Sequence, residues 1–401
     1  MTTPESNVLS DRIWIVLKIL VVHPRFGVFG GGEYLAINVI QALYEMGHDV
    51  YLRSIDYSEE AVERAFGIKP DLAGILPLAD FKPRFRKALA LQRAISVKRQ
   101  RGKVARTYMQ FDQVWHTQTA YWVESPPGAK LFNIFYDPTD IFIIGSIYSR
   151  QYTGESIIRI PSSTFKKPYY YFIKRILRTD VELRNALSIP LSRSLEVTLS
   201  KFHYPHTVFI TAPASLKFKP GHKKKQVALV TRMATHKRIE DFLSIARMLP
   251  QYRFVLLGAI SEAERRLMPG YADNLIKVKP SNVDYVEKRL WTVPEVLEES
   301  AVYLYPAIEE AINISFMQGC GAGCIPVAPD VGGGAELINK LKIGYTYTDL
   351  REAANSITEA IENPKWSPQE IRTRAEAFDE AHFRDNIKAI SKGEYPISRG
   401  N

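Results

Sequence analysis

The chain has 401 residues, of which 46% are hydrophobic and 24% are charged. This composition is that of a folded globular protein and excludes a disordered or collagen-like chain. The length exceeds what one hydrophobic core usually serves, so we expect two domains. The apolar run from Ile13 to Val22 contains Lys18 and is much shorter than the roughly 20 residues of a membrane span, so we interpret it as a buried strand.

The charge of the chain is concentrated in its first half. Residues 1–225 carry 32 Lys and Arg and 19 Asp and Glu, whereas the remainder carries 21 and 24, which gives the net charge of +10. A local excess of one sign attracts the opposite sign. We therefore expect an anionic partner on the first half of the chain.

Strand-like and helix-like segments alternate from the first buried run onwards. Lys18 to Pro24 predicts a strand, and a glycine loop then leads into a helix predicted from about Glu33 to Met46, which Gly47 ends. Asp49 to Ser54 predicts the next strand. A strand, a helix and a strand in this order indicate a parallel βαβ unit.

A similar series follows a link rich in Pro, Gly and Lys between Thr211 and Gln226. Its predicted strands are Gln226 to Arg232, Arg253 to Gly258, Ala301 to Ala307 and Ile325 to Ala328. Its predicted helices are Ile239 to Leu249 and Val293 to Ser300. The fold class is therefore α/β, with two Rossmann-like domains. We place them at 1–212 and 213–378, with 379–401 as a C-terminal helix and tail that can pack back on the first domain.

Three glycines, Gly30, Gly31 and Gly32, precede the first helix. Glycines let backbone amides approach a phosphate, and a helix N-terminus favours an anion. The spacing from Gly27 differs from the G-x-G-x-x-G of dinucleotide-binding proteins. The loop predicts either an anion site of another kind or a tight turn without a ligand.

Two cations, Arg232 and Lys237, follow the first strand of the second series. Ligands of doubly wound sheets lie at the carboxyl ends of the strands. Two fixed cations there can hold a diphosphate and stabilise its charge as it leaves. The alternative is a solvated basic loop.

Two acids, Glu309 and Glu310, stand at another carboxyl end, before a helix predicted to begin near Asn313. A carboxylate at this place can accept hydrogen bonds from sugar hydroxyls, and Gln318 in the second turn of the helix can reach a ribose. The alternative is an acid that complements the helix dipole.

These motifs together resemble the retaining glycosyltransferases of the GT-B fold, in the large group 4 family (glycosyl transferases group 1) that uses nucleotide sugars. The landmarks that carry the resemblance are GGGE from Gly30 to Glu33, the pair Arg232 and Lys237, and the stretch from Glu310 to Gln318 followed by GCIPVA from Gly323. The resemblance implies two Rossmann-like domains that face a cleft, the first on the acceptor side and the second binding the nucleotide sugar.

The resemblance also implies a role for each matched residue. Catalysis would involve Arg232, Lys237, Glu310 and His116. The donor would be bound by Gly31, Gly32, Asn313, Ile314, Ser315 and Gln318. Family members of this kind require no metal or other cofactor, and a nucleotide diphosphate sugar is the donor substrate.

The chain departs from the family pattern at two places. The glutamate that normally holds the ribose is Gln318, which keeps a hydrogen-bonding side chain but carries no charge. Where the family often has a His-Asp pair, this chain has Tyr136 and Asp137, so Asp137 is carried over only as an acceptor-side residue. The first departure suggests altered nucleotide binding or an inactive protein.

Base recognition in this fold relies on loop backbone, which we expect near Val278 to Ser281. No metal site is predicted, because His203 and His206 lack a third ligand in the sequence. The two cysteines, Cys320 and Cys324, lie four residues apart in one predicted helix, and we interpret them as small packing residues of a reducing compartment.

A basic segment between Lys82 and Arg106 holds ten basic residues and no acid. Phe85, Leu89 and Ile95 belong to its rough apolar face, and a second cluster from Phe165 to Arg178 mixes aromatic and basic residues. Such a pattern is suited to an anionic membrane surface, with Lys98, Arg99, Arg101 and Lys103 as the membrane-facing cations. The alternative is a solvated helix face.

The sequence thus predicts a hexosyltransferase that acts on a glycan or lipid-linked acceptor. We expect it in the cytoplasm, peripheral on the cytoplasmic face of the membrane, with no nucleic acid as a partner. Three other hypotheses remain: an inactive GT-B-fold partner subunit, which Gln318 favours; a dinucleotide-dependent oxidoreductase, which the glycine spacing disfavours; and a nucleic-acid-binding protein, for which no recognition motif is present.

Overall fold

The computed structural model describes residues 15–27, 29–78, 84, 89–117, 128–136, 175–176, 179–260, 265, 268–287, 294–308 and 314–398. They form two α/β units, each built around its own sheet and its own hydrophobic core. We call the unit that contains the first strand the N-terminal unit and the other the C-terminal unit.

The N-terminal unit is built on an eight-stranded sheet. Its strands are β1 Lys18–Val22, β2 Asp49–Ser54, β3 Gly74–Pro77, β4 Gln113–His116, β5 Lys130–Phe135, β6 Ala186–Pro190, β7 His206–Thr207 and β14 Ile397–Ser398. They are ordered β14-β7-β6-β5-β4-β1-β2-β3, and all neighbours are parallel except β14 with β7. The helices between the strands are α1 Gly31–Tyr44, α2 Glu59–Phe66, α3 Leu89–Tyr108, α4 Thr179–Arg184 and α5 Arg193–Lys201.

The C-terminal unit is built on a six-stranded parallel sheet. Its strands are β8 Lys224–Val230, β9 Arg253–Gly258, β10 Val283–Glu287, β11 Ser300–Leu304, β12 Ile325–Pro329 and β13 Tyr345–Tyr347, in the order β10-β9-β8-β11-β12-β13. Its helices are α6 Ile239–Met248, α7 Tyr271–Lys277, α8 Pro294–Glu299, α9 Ile314–Gly321, α10 Gly333–Leu341, α11 Leu350–Glu362 and α12 Pro368–Glu376. This strand order is that of a Rossmann fold.

The last helix, α13 Glu380–Lys392, returns to the N-terminal unit. Its Lys388 Nζ lies 2.7 Å from Glu45 at the end of α1, and its Arg384 donates to Asn38 of α1 at 3.1 Å. Phe383 on the same helix is buried in the N-terminal core. The end of the chain is thus held on the first sheet.

The burial of the strands explains why they read as apolar runs in the sequence. Ile19 to Val22 of β1 and Val227 to Val230 of β8 are at most 1% exposed, because helices cover both faces of each parallel sheet. The predicted bounds of the strands Asp49 to Ser54 and Arg253 to Gly258 are confirmed, and α1 begins two residues before the prediction, at Gly31.

One cysteine lies outside the helix to which the sequence assigned it. Helix α9 ends at Gly321, and Gly323 takes the left-handed conformation, with φ of 80°. Cys324 therefore follows the helix rather than continuing its face. Both thiols are free and buried.

Each sheet reverses its strand order at a single place, between β1 and β4 in the first and between β8 and β11 in the second. The helices on the two sides of such a point diverge and leave a crevice at the carboxyl ends of the strands. The segments after β1, β4, β8 and β11 are therefore the expected walls of a ligand site.

Gly258 provides a test of how tightly this edge of the C-terminal sheet is packed. A Cβ at Gly258 would lie 2.2 Å from the carbonyl oxygen of Thr231, whereas a Cβ at Gly102 in α3 would meet nothing within 4 Å. We predict that Gly258→Ala lowers the melting temperature, because steric overlap in a packed region typically costs about 1–3 kcal/mol. Gly102→Ala should raise it, because alanine favours a helix by about 1 kcal/mol. Circular dichroism measures both, and an unchanged Gly258→Ala midpoint would contradict the packing.

Candidate functional site

The glycine loop after β1 is capped by an acid of its own helix. Gly30 is the N-cap of α1, and its backbone N–H donates to Glu33 Oε2 at 2.7 Å. Burial raises the pKa of Glu33, but the adjacent His23 ring and the amides of Gly30 and Glu33 outweigh it, so the pKa is lowered overall. The carboxylate is therefore held in its charged form at the start of α1.

His23, which the sequence analysis did not select, lies beside this loop. It follows β1 directly and is fully buried. Its Nδ1 lies 2.9 Å from the Thr117 hydroxyl, which itself donates to the Val22 carbonyl at 3.2 Å. The hydroxyl proton is engaged in this second bond, so Nδ1–H donates to the Thr117 oxygen, and Nε2 lies 3.9 Å from Glu33 Oε1. A histidine immediately after a buried strand was the available sequence signal.

His116 is the last residue of β4 and is only 1% exposed. Neither ring nitrogen has a hydrogen-bond partner in the described part of the chain. Burial and the charge of Arg53 lower its pKa to about 3. The ring is therefore neutral, and its edge packs against Tyr108 with ring centroids 5.8 Å apart.

The two predicted cations after β8 differ in exposure. Arg232 is exposed, whereas Lys237 lies in a 3₁₀ turn, Thr235–Lys237, and is 7% exposed. Arg238, the next residue, adopts the left-handed conformation as the N-cap of α6, and its Nε donates to Asp241 at 2.5 Å. This ion pair fixes the turn that carries Lys237.

The start of α9 is attached to the end of β8 by hydroxyl groups. Ser315 Oγ donates to the Val230 carbonyl at 2.7 Å, and the Tyr303 hydroxyl lies 2.7 Å from Ser315 Oγ and 3.1 Å from the same carbonyl. The Ser315 side chain is thus engaged inside the C-terminal unit. Only its backbone is placed to face a ligand at the start of the helix.

Several predicted residues lie outside the described part of the chain. They are Glu309, Glu310, Asn313 and Asp137. Ile308 is the last described residue before the first three, and it is buried. Ile314 begins α9, and Gln318 is half-buried in the second turn of that helix.

The two units approach each other closely between α1 and α9. A Cβ at Gly31 would lie 3.2 Å from Ile314 Cδ1, so the first turn of α1 meets the first turn of α9. A Cβ at Gly32 would lie 2.9 Å from the Tyr136 hydroxyl. Ile314 in turn precedes Ser315, which is bonded to the end of β8, so the structure brings Gly31, Gly32, Ile314 and Ser315 close to the loop of Arg232.

The expected base-recognition segment lies elsewhere, and that prediction is wrong. Val278 to Ser281 lie between α7 and the first residue of β10. In a parallel sheet the residues that precede a strand are at its amino edge, opposite the edge where β8 and β11 end. The segment that follows β10 at the correct edge, residues 288–293, is outside the described residues.

The cations assigned to a membrane surface belong to α3. Lys98 and Arg99 are exposed there, and the side chains of Arg101 and Lys103 are not among those described. Within the described ranges no helix combines the length and apolar character that a membrane crossing requires.

The two histidines of the pair His203 and His206 differ in their burial. His206 is buried, with Nε2 3.0 Å from Ser200 Oγ, and His203 is exposed. Across the described residues no three His, Cys, Asp or Glu side chains are grouped so that they could hold a metal ion.

Comparisons with known proteins agree with this geometry. Residues 214–378 match the family model of glycosyl transferases group 1. A sequence search of curated proteins finds no match. Solved structures match over almost the whole chain, although at low sequence identity.

Three of these structures illustrate the similarity. Anabaena Alr3699/HepE in complex with UDP and glucose has a TM-score of 0.67 at 15% identity, covering 94% of this chain and 100% of its own. Sucrose-phosphate synthase from Thermosynechococcus elongatus has a TM-score of 0.68 at 15% identity, covering 94% and 98%. A TarM variant from S. aureus, in complex with fondaparinux, α-GlcNAc-glycerol and UDP, has a TM-score of 0.65 at 11% identity, covering 94% and 99%. The chain therefore has the GT-B fold.

The burial of His116 predicts a pH dependence of stability. Its pKa is about 3 in the folded protein and near 6.5 when unfolded, so the unfolded state binds the proton first as the pH falls. The contribution of His116 to the free energy of unfolding is fully present above about pH 6.5, and it is lost progressively as the pH falls towards 3. Between pH 6.5 and 5 the loss due to this group should reach about 2 kcal/mol.

Melting temperatures at pH 7.5 and pH 5 check this prediction. His116→Asn should show a smaller drop than the wild type, and His382→Asn, at an exposed histidine, should show the same drop as the wild type. An equal drop in all three proteins would contradict a buried, neutral His116.

Proposed function

We propose that this protein is a retaining glycosyltransferase of the group 4 type, which transfers a hexose from a nucleotide diphosphate sugar to a glycan or lipid-linked acceptor. The observation that carries the proposal is the arrangement at the cleft. The loop of Arg232 and Lys237 is attached through Val230 and Ser315 to the first turn of α9, and that turn faces Gly31 of the other unit.

The proposed donor site uses the two cations on the diphosphate. Arg232 is exposed at the carboxyl edge of the C-terminal sheet, so it can contact an incoming phosphate. Lys237 is largely buried, so its charge is already removed from most of the solvent. Interactions with a charge that develops in the transition state are stronger in a water-excluded site. The backbone of Asn313, Ile314 and Ser315 and the side chain of Gln318 complete the donor site in this proposal.

The proposed reaction is a front-side displacement at the anomeric carbon. The acceptor oxygen forms a bond to this carbon on the side from which the diphosphate leaves, the bond from carbon to the diphosphate oxygen breaks, and that oxygen accepts the acceptor's proton. The configuration is retained without a covalent sugar–protein intermediate. The task of the protein is then electrostatic, with Glu310 holding the sugar and Arg232 and Lys237 stabilising the departing charge.

His116 takes part in this proposal as the residue behind the acceptor side of the cleft. It is the last residue of β4, at the reversal point of the first sheet, and is paired with Val22 of β1. Its neutral ring can donate or accept a hydrogen bond without attracting the diphosphate. Asp137 is proposed for the same side of the cleft.

A second candidate function is a GT-B-fold subunit that binds a nucleotide sugar without transferring it. Gln318, where the family has a glutamate, is the observation that favours it. A glutamine accepts only through its amide oxygen, so a ribose would be held less firmly than by a carboxylate. Binding of UDP-glucose without transfer or hydrolysis by the wild type would select this candidate.

We also propose that the N-terminal unit lies against an anionic membrane surface. Lys98 and Arg99 are exposed on the long helix α3, which belongs to the basic segment. Attraction to anionic lipid contributes about 1 kcal/mol per basic residue near the surface. A protein held in this way on the cytoplasmic face of the membrane would meet lipid-linked acceptors there.

The donor site is tested with the variant Arg232→Ala/Lys237→Ala. We predict that the rate of transfer falls at least 100-fold while the melting temperature stays close to that of the wild type. The reason is that the two removed cations stabilise the charge of the leaving diphosphate in this proposal. The assay measures transfer and hydrolysis with UDP-, GDP- and ADP-sugars. Lys225→Ala, at the amino end of the same strand, is the matched control and should keep wild-type turnover. Near-normal turnover of the double variant would refute the assigned role.

The membrane surface is tested by replacing Lys98, Arg99, Arg101 and Lys103 with serine. We predict at least a tenfold weaker association with vesicles that contain anionic lipid, and no change with neutral vesicles, because the attraction is electrostatic. Cosedimentation measures it. The charge-matched control replaces four exposed lysines that lie outside the basic segment, Lys217, Lys219, Lys277 and Lys365. Equal binding by both variants would favour a solvated helix face.

A further inference from the structure

The first turn of α5 in the N-terminal unit is capped by an acid of the C-terminal unit. The Arg193 N–H donates to Glu336 Oε2 at 2.7 Å, and the Ser194 N–H donates to Glu336 Oε1 at 3.0 Å. The Leu195 N–H donates to Ser192 Oγ at 3.3 Å. The first amides of a helix have no partner within the helix, so two of the three in α5 depend on the other unit.

The same face of α10 makes a second contact across the gap. Lys340, one turn after Glu336, places its Nζ 3.8 Å from the ring centroid of Phe209. Burial lowers the pKa of Lys340, and the charges of Glu336 and Glu196 oppose this shift. Glu196 of α5 accepts from the Phe209 N–H at 3.1 Å and from Arg193 Nη1 at 2.6 Å. The acid and the base of α10 therefore meet a hydrogen-bonded network on the N-terminal unit.

Helix α10 is also fixed to the proposed donor site. Gly332, its N-cap, has φ of 87°, and a Cβ there would lie 2.4 Å from the Ile308 carbonyl oxygen. The first hydrogen bond of α10 runs from the Glu336 N–H to the Gly332 carbonyl at 3.1 Å. Ile308 leads directly to Glu309 and Glu310. The N-terminus of α10 is thus packed against the last described residue before these two acids.

We infer that Glu336 is a positioning residue, whose carboxylate docks α5 and holds the two units in the arrangement where Gly31 faces Ile314. The contact is charge-assisted, because a carboxylate meets the positive end of a helix, and such hydrogen bonds are about twice as strong as neutral ones. Glu336 does not touch the reacting atoms. Its effect on the reaction rests on the proposed function, whereas its effect on the relative position of the units does not.

The arrangement of the units is measured by electron–electron double resonance between spin labels at Glu60→Cys and Asn355→Cys, one exposed position in each unit. The native cysteines are buried and are not expected to be labelled. We expect one narrow distance distribution for the otherwise unchanged protein and a broadened one for Glu336→Ala. Glu352→Ala is the matched control, because this acid accepts from Thr348 within its own unit, and it should leave the distribution narrow.

A second pair of variants tests the hydrogen bond itself. Proline is tolerated at the first position of a helix and lacks the N–H, so Arg193→Pro removes the donor to Glu336 Oε2 while Arg193→Ala keeps it. Arg193→Pro should broaden the distribution, and combining it with Glu336→Ala should add little. A narrow distribution in Glu336→Ala, or equal broadening by Arg193→Ala and Arg193→Pro, would overturn the inference.

Kinetics with UDP-glucose as the donor probe then separate positioning from catalysis. Glu336→Ala should raise KM about tenfold and change kcat less, and Glu336→Gln, which keeps one acceptor oxygen, should recover part of the loss. If the wild type transfers no sugar but Glu336→Ala still broadens the distance distribution, the proposed function fails and the docking role stands. If the wild type is active and Glu336→Ala leaves both KM and the distribution unchanged, the docking role fails alone.

Discussion

The carbonyl of Val230 is the point on which the geometry of the candidate site depends. Val230 is the last residue of β8, and its carbonyl accepts a hydrogen bond from the Ser315 hydroxyl at 2.7 Å and one from the Tyr303 hydroxyl at 3.1 Å. A buried carbonyl without a partner costs about 1–3 kcal/mol, so these two hydroxyls are strongly constrained. Because they come from α9 and β11, the carbonyl fixes the start of α9 relative to the strand that leads to Arg232. The cations and the helix terminus can therefore act on one ligand.

Much of this arrangement could be predicted from the sequence, because buried parallel strands read as apolar runs with glycines at their ends. The segment Arg253 to Gly258 illustrates this, since its strand has the predicted bounds. The prediction of base recognition by Val278 to Ser281 was wrong because strand β10, Val283–Glu287, was not predicted, so the segment was not recognised as the one that precedes a strand. The prediction that Cys324 lies in the same helix as Cys320 was wrong because Gly323 takes the left-handed conformation, which a continuing helix does not allow. The contact of Glu336 with the other unit could not be predicted, because its partners, Arg193 and Ser194, lie more than 140 residues away in the chain.

Acids in the first turns of the helices distinguish α1 and α10 from α9. Helix α1 carries Glu33 and α10 carries Glu336, whereas α9 carries no acid in its first turn. A carboxylate at a helix N-terminus offsets the positive potential that would attract a phosphate. The start of α1 is already occupied by the charge of Glu33, and Glu336 is bonded to α5. This distribution supports placing the diphosphate on the C-terminal unit, beside α9 and the cations after β8.

The glycines of the first loop then need a reason other than phosphate binding, and the packing supplies one. A side chain at Gly31 would come within 3.2 Å of Ile314, and one at Gly32 within 2.9 Å of the Tyr136 hydroxyl. Even an alanine at Gly31 would require the Ile314 side chain to shift by a few tenths of an ångström. The missing side chain at Gly31 allows close approach of the two units, so that the backbone of α1 can form one wall of a narrow cleft, whereas Gly32 makes room for Tyr136 within the N-terminal unit. In this interpretation the GGGE motif sets the width of the cleft, and its glutamate keeps the anion on the opposite wall.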